Sequence, residues 1–224
     1  MKDFLNELKK IPVPDWFGLY SSNDDLCPDA DTYDSMVYDL AKECGIDINT
    51  AWGCSQYVII TENKDVYKLP FNGEYNEGDI YENIDNDFDD FETNYSEKTV
   101  EVYNNAVIDG VEKMFSKIEK IGFSCNGHPI YKQDYAREYL NAEKGRTSAS
   151  KDSSTKAEKM LKEKKYIPFY FDWLSLAIDA YGEEEVENLL DFIEKEGVGD
   201  LHRGNYGFDA DNLPVIFDYS GFEG

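Results

Sequence analysis

Gly199-Asp200-Leu201-His202-Arg203-Gly204-Asn205, followed by Leu213-Pro214-Val215-Ile216-Phe217-Asp218-Tyr219-Ser220-Gly221, is the stretch on which the reading of this chain turns. Asp200 is followed five residues later by Asn205, and thirteen residues after that comes Asp218, at the end of an apolar, β-branched run. By composition this is a loop and then a hairpin. In an acidic chain a lone Asp means little, but an Asn at that offset, a Gly before it and a strand ending in Asp-Tyr-Ser-Gly have to be explained together.

Upstream, the period of the apolar residues changes several times. Phe4, Leu5 and Leu8 predict a short helix stopped by Pro12 and Pro14. Met36, Val37, Leu40 and Ala41 predict a second helix ending near Gly45, after a polar, acidic linker at 21–34. Tyr57-Val58-Ile59-Ile60 and Val66-Tyr67-Lys68-Leu69-Pro70-Phe71, joined by 61–65, read as a β-hairpin. Val100, Val102, Tyr103, Ala106, Val107, Val111 and Phe115 predict one long helix ending before Gly122. His128-Pro129-Ile130-Tyr131-Lys132-Gln133-Asp134-Tyr135 reads as a strand, with His128 at its edge rather than as a catalyst. Residues 141–166, where eight Lys or Arg face four Asp or Glu around a Ser-rich centre, read as a linker. Two helices follow, one around Phe169 to Ala177 and one with the apolar stripe Val186, Leu189, Leu190, Phe192 and Ile193.

Composition bounds the function classes. With 47 acidic and 22 basic residues the formal net charge is −25, which argues against nucleic acid as a ligand because phosphate backbones need Lys and Arg. It leaves room for a basic protein partner, or for mimicry of nucleic acid by carboxylates. Seventeen Tyr, 13 Phe and 3 Trp in 224 residues can build one substantial core or two small lobes. No apolar run of about 18 residues exists, so no membrane span is expected. The charged N-terminus lacks the apolar stretch of a signal peptide. Cys27, Cys44, Cys54 and Cys125 are scattered without a Cys-x-x-Cys pair, so reduced thiols and a cytoplasmic location are the expectation, with no zinc site. Residues 72–101 carry a single basic residue, Lys98, among many carboxylates. The run from Asp85 fails as a calcium loop because Asp90 replaces the Gly at position six and Ser96 the Glu at position twelve.

The Asp-Leu-His-x-Gly-Asn version of the ladder, with the second Asp on a following strand, resembles the catalytic loop and metal-binding strand of the protein-kinase-like superfamily. It looks closest to the aminoglycoside and small-molecule phosphotransferase branch. Phosphoryl transfer needs an Asp to orient the acceptor hydroxyl and oxygen ligands that hold Mg²⁺ on the phosphates. The resemblance implies Asp200 as the base and Asn205 and Asp218 as metal ligands, with ATP and Mg²⁺ as cofactors. It implies Lys68 as the Lys that contacts the α/β-phosphates, paired with Glu101 of the following helix; Glu97, one turn earlier on the same face, is the alternative partner. Gly53 and Ser55 stand in the phosphate-covering loop before the hairpin, Gln133 in the strand leading to the adenine-binding hinge, and His202 near the transferred phosphate.

The implied fold is α+β and bilobal, with a small antiparallel-sheet N-lobe at 51–135 after a helical extension at 1–50. A truncated helical C-lobe is expected at 136–224, since the chain ends at Gly224. The ladder departs from the family at Val198, where a His is usual, and at Tyr219-Ser220-Gly221, one residue longer than Asp-Phe-Gly. Three functions therefore stand side by side: a minimal Mg·ATP-dependent phosphotransferase, a nucleotide-binding pseudokinase acting through a protein partner, and an acidic inhibitor that mimics nucleic acid.

Overall fold

The computed structural model describes residues 3–14, 30–52, 56–70, 95–139, 148–163, 167–199 and 201–219. Among these residues the protein is α+β, with six α-helices, a five-stranded antiparallel sheet and a three-stranded one. It divides into two compact units, one formed by 1–97 with 119–133 and the other by 98–118 with 134–224.

The first unit holds α1 (Phe4–Leu8), α2 (Ala30–Cys44) and the strands β1 (Ile48–Trp52), β2 (Gln56–Thr61), β3 (Val66–Pro70), β4 (Ile118–Phe123) and β5 (Pro129–Gln133), in the order β1-β2-β3-β5-β4. Asp3 caps α1 by accepting from the Asn6 N–H at 2.9 Å. The expected hairpin forms with Tyr57 opposite Leu69 and Val58 opposite Lys68. Its turn closes by a Thr61 N–H to Asp65 carbonyl bond of 2.9 Å. Alternation then sorts the strands: Tyr57, Ile59, Tyr67, Leu69 and Ile130 bury against Phe4, Leu8, Tyr33, Val37 and Ala41. Each of the large aliphatic and Phe side chains among them contributes about 1.5–3 kcal/mol on leaving water. Asp34 ties α2 to the sheet by accepting from Tyr57 Oη at 2.5 Å and Thr50 Oγ1 at 2.9 Å. The helices of the first fifty residues therefore share a core with the sheet rather than preceding it.

The second unit takes most of α3 (Tyr95–Asp109), a short 3-10 helix (Glu112–Met114), β6 (Arg137–Glu138), α4 (Lys151–Glu163), α5 (Phe171–Tyr181), α6 (Glu183–Glu196), β7 (Tyr206–Phe208) and β8 (Pro214–Ile216). An aromatic cluster forms its centre: Trp173 stacks on Phe169 at 4.2 Å and meets Tyr206 edge-on at 5.3 Å. The Trp173 indole N–H donates to the Gly207 carbonyl at 2.9 Å, fixing α5 on the β7 strand.

Five elements differ from expectation. The long helix stops at Asp109, because Gly110 turns left-handed at φ +79° and the Val111 N–H closes on the Ala106 carbonyl at 2.9 Å. Residues 118–123 then form β4 instead of a helix tail. β1 was not expected, yet it pairs along its whole length with β2. The Ser-rich linker becomes helix from Lys151, because the Ser150 hydroxyl accepts from the Ser153 N–H at 3.1 Å while Ala157 and Met160 are buried. Likewise α2 starts at Ala30, inside the expected acidic linker. No helix among the described residues is long and apolar enough to cross a membrane.

Candidate functional site

The loop carrying the Asp-Asn-Asp ladder belongs to the second unit, and the local sequence explains its course. Helix α6 ends at Gly197, left-handed at φ +64°, where the Gly197 N–H bonds to Glu194 at 3.4 Å and the Val198 N–H to Ile193 at 3.0 Å. This double closure satisfies the last carbonyls and turns the chain sharply. Asp200 itself lies outside the described residues, between buried Gly199 and Leu201. The next residues make a tight turn: the Asn205 N–H bonds to the His202 carbonyl at 2.8 Å, and His202 Nδ1 accepts from the Gly204 N–H at 3.0 Å. The proton of neutral His202 then sits on Nε2, on an exposed ring. A side chain at Gly204 would meet that ring at 2.9 Å.

Asn205 and Asp218 are brought together. The Asn205 carbonyl accepts from two successive amides, Phe217 at 3.0 Å and Asp218 at 3.1 Å, just beyond the β7–β8 pairing of Tyr206 with Ile216. Asp218 is held from the other side by Tyr219, a fully buried residue whose hydroxyl donates to the Ser116 carbonyl at 2.9 Å and whose ring meets Phe115 at 4.9 Å. Asn205 and Asp218 both remain half-buried. An amide and a carboxylate on adjoining backbone are hard oxygen donors of the kind Mg²⁺ uses with substrate phosphates completing its shell. Among the described residues no group of three His, Cys, Asp or Glu is arranged to hold a metal without such phosphates.

The hairpin connecting them is closed by its own side chain. Asp209 accepts the Asp211 and Leu213 amides at 2.9 and 2.8 Å, and Asn212 takes φ +65°.

Lys68 belongs to the first unit. It lies on β3, the middle strand, opposite Val58 on β2 and Tyr131 on β5, on the face away from the α1–α2 core. Only 5% of Lys68 is exposed, and among the described residues its side chain makes no hydrogen bond or ion pair. Of the deeply buried side-chain N and O atoms lacking a hydrogen bond among the described residues, Lys68 Nζ is not one. The stem is packed while the head still meets water.

Glu101, the expected partner of Lys68, is exposed on α3. The carboxylate that reaches the sheet is Glu97: its Oε2 accepts from the Tyr131 hydroxyl at 2.5 Å and pairs with Lys120 at 3.0 Å. Burial pushes Glu97 upward, but the Tyr131 and Lys120 hydrogen bonds outweigh it and hold the carboxyl below its ordinary range. Ser96 beside it donates to Gln56 Oε1 at 2.8 Å, fixing the start of α3 on β2. Gln133 is buried at the end of β5, opposite Val66. Gly53, Ser55 and the acidic run at 74–92 lie outside the described residues. His128 is a buried strand-edge residue whose Nδ1–H donates to the Pro70 carbonyl at 3.0 Å.

Tyr131 and Lys120 had no place in the sequence-based site, because their part depends on β5 lying beside β3, a strand order that adjacent pairing along the chain does not suggest. No protein-family model, curated protein or solved structure matches the chain.

Proposed function

We propose that this chain is a kinase-like, bilobal Mg·ATP-dependent phosphotransferase, in which Asp200 orients the acceptor hydroxyl, Lys68 binds phosphate, and Asn205 and Asp218 hold the metal. The observation that carries the reading is the pair of hydrogen bonds joining Asn205 to the Phe217 and Asp218 amides at 3.0 and 3.1 Å. Two residues thirteen apart in sequence thereby become neighbours with complementary oxygen donors. Lys68 supports the reading, since an ammonium packed by its stem and without a counter-charge among the described residues favours an anionic ligand. Mg²⁺, when bound, would neutralise charge on the phosphates. The chain's own work is to orient the acceptor through Asp200 and to fix the two ligand side chains.

Thermal shift with ATP, with and without Mg²⁺, tests this. A one-site ligand at 100 times its Kd adds about 2.7 kcal/mol of stability. Asp200→Ala would abolish turnover and spare binding, and Asp218→Ala would lose Mg²⁺-dependent binding. A pseudokinase would bind through Asp218 without turnover. Wild-type protein that neither binds nor hydrolyses Mg·ATP overturns the proposal.

A second reading is favoured by α6, where Glu184, Glu187, Asp191 and Glu194 stand exposed in one row of helical spacing. Such a face would bind a basic protein partner, with affinity that falls steeply as salt rises.

A further inference from the structure

β1 is an edge strand of the first unit's sheet, with β2 as its neighbour on one side. Opposed residues of antiparallel strands alternate between pairs that exchange both backbone bonds and pairs that turn these groups outward. Two bonds fix the alternation here. The Glu62 N–H donates to the Asp47 carbonyl at 2.9 Å, one step outside the register that sets Ile48 opposite Thr61. Asn49 and Ala51 therefore bond to Ile60 and Val58, while Ile48 and Thr50 turn their N–H and C=O groups away from β2. The far side of β2 agrees: the Thr61 N–H bonds to Asp65 at 2.9 Å, which gives Thr61, Ile59 and Tyr57 to β3 and leaves Ile60 and Val58 for β1. Among the described residues no backbone group takes up the outward groups of Ile48 and Thr50. Edges of this kind are usually closed by Lys, Pro or a bulge, and Ile48-Asn49-Thr50-Ala51-Trp52 has neither residue and an unbroken register.

We propose that β1 takes up an extended, basic segment of a partner protein as an added strand, independently of any nucleotide chemistry. In strand addition the backbone bonds give affinity and alternate side chains give specificity. Here α2 supplies the specificity. Thr50 Oγ1 donates to Asp34 Oδ1 at 2.9 Å and lies 3.4 Å from the Tyr38 hydroxyl, so a carboxylate and an aromatic ring flank the middle of the strand. Tyr38 is 43% exposed, which leaves its ring open to a cation. A partner residue bonded to Thr50 stands opposite it and shares its face, so the residues that use the edge are the ones whose side chains meet α2. Over α2 and β1, Asp31, Asp34, Asp39, Glu43 and Asp47 stand against Lys42. Lys or Arg at alternate positions fits this face, whereas a second copy of a chain of charge −25 is repelled.

The test is amide exchange followed by NMR, with a capped octapeptide of alternating Lys and Val as the probe. In the free protein the Ile48 and Thr50 amides should exchange faster than those of Asn49 and Ala51, and the peptide should slow the first two by about tenfold or more. Methylating the backbone nitrogens of the lysines should abolish binding, and methylating those of the valines should spare it. Thr50→Pro removes an outward donor at a place where an edge strand accepts Pro, and should weaken binding by about tenfold. Thr50→Val, which keeps the N–H and loses the Asp34 bond, is the control and should bind; circular dichroism checks both variants for folding. A peptide that leaves Ile48 and Thr50 unprotected at millimolar concentration overturns the proposal. Equal binding of the two methylated peptides replaces strand addition by unspecific charge attraction, and equal binding of a Glu-Val peptide overturns the basic preference. Wild type that dimerises in sedimentation, and is monomeric as Thr50→Pro, gives the edge to a second copy and overturns the choice of partner.

Discussion

Replacing Gly207 by Ala would drive a methyl group into β6: its Cβ would lie 1.8 Å from the Arg137 carbonyl oxygen and 2.9 Å from the Glu138 carbonyl carbon. Ordinary contact begins near 3.4 Å, so β6 and β7 must part. The separation, roughly 1.5 Å on a strand spacing of about 4.8 Å, exceeds what their hydrogen bonds can follow. Lost with it are the pairing of Glu138 with Gly207 and the Tyr139 N–H to Tyr206 carbonyl bond of 3.0 Å. Two or three backbone bonds at about 1 kcal/mol each, with some overpacking strain and a small entropic gain from removing Gly, come to about 3 kcal/mol. At 2–4 °C per kcal/mol for a chain of this size, the melting temperature should fall by about 6–12 °C. Thermal unfolding measures that shift, and urea unfolding followed by both fluorescence and circular dichroism measures the loss of stability. Gly45→Ala is the control: it has φ +71° and nothing within 4 Å, so only the left-handed backbone penalty of about 1–2 kcal/mol applies. A Gly207→Ala protein within 1 kcal/mol of wild type would refute the close strand approach.

Lys68→Met keeps the packed stem and removes a charge with no partner among the described residues, so stability should hold or rise by about 1 kcal/mol, while the proposed Mg·ATP binding should be lost. A clear loss of stability in denaturant titration would instead mean that the ammonium has a counter-charge in the fold. At the alkaline end, burial, with Tyr139 and Tyr170 adding to it, pushes the Tyr206 phenol from 10.0 up to about 12, and burial drives Tyr33, Tyr57 and Tyr181 higher still. Raised folded pKa values mean that this stabilisation is complete below about pH 10 and is lost as pH rises through the folded values. Tyrosine absorbance at high pH should therefore change together with the circular dichroism signal; ionisation of these residues well before unfolding would contradict their burial.

Much of the fold was legible where period and punctuation agreed. The β2–β3 hairpin followed from two β-branched runs around a polar turn, and α6 from its apolar stripe ended by Gly197. β1 was hidden because Ile48-Asn49-Thr50-Ala51-Trp52 has little strand character of its own and is ordered by its partner β2. α4 was hidden because Ser and Lys look like linker until Asp179 is seen accepting from the Ser150 N–H at 3.3 Å and the Ser153 hydroxyl at 2.8 Å. In the candidate site, the Asn205–Asp218 pair could be anticipated because a hairpin fixes its own register. The Glu97–Tyr131–Lys120 group could not, since it depends on β5 crossing to lie beside β3.

The segment after the short 3-10 helix has a kinetic consequence for the ladder. The Ser116 N–H bonds to Ile216 at 2.8 Å, Phe115 bridges Ile216, and the Ser116 carbonyl takes the Tyr219 hydroxyl. Phe217 and Asp218 thus lie between two anchors on one neighbouring segment, 115–116, with Asn205 holding them from the hairpin side. In hydrogen–deuterium exchange the amides of Ser116, Phe217 and Asp218 would share one opening event and one protection factor, far slower than the exposed turn at 209–212. Exchange at Asp218 becomes a clock for the whole strap, and a ligand that orders the hairpin would slow all three amides together.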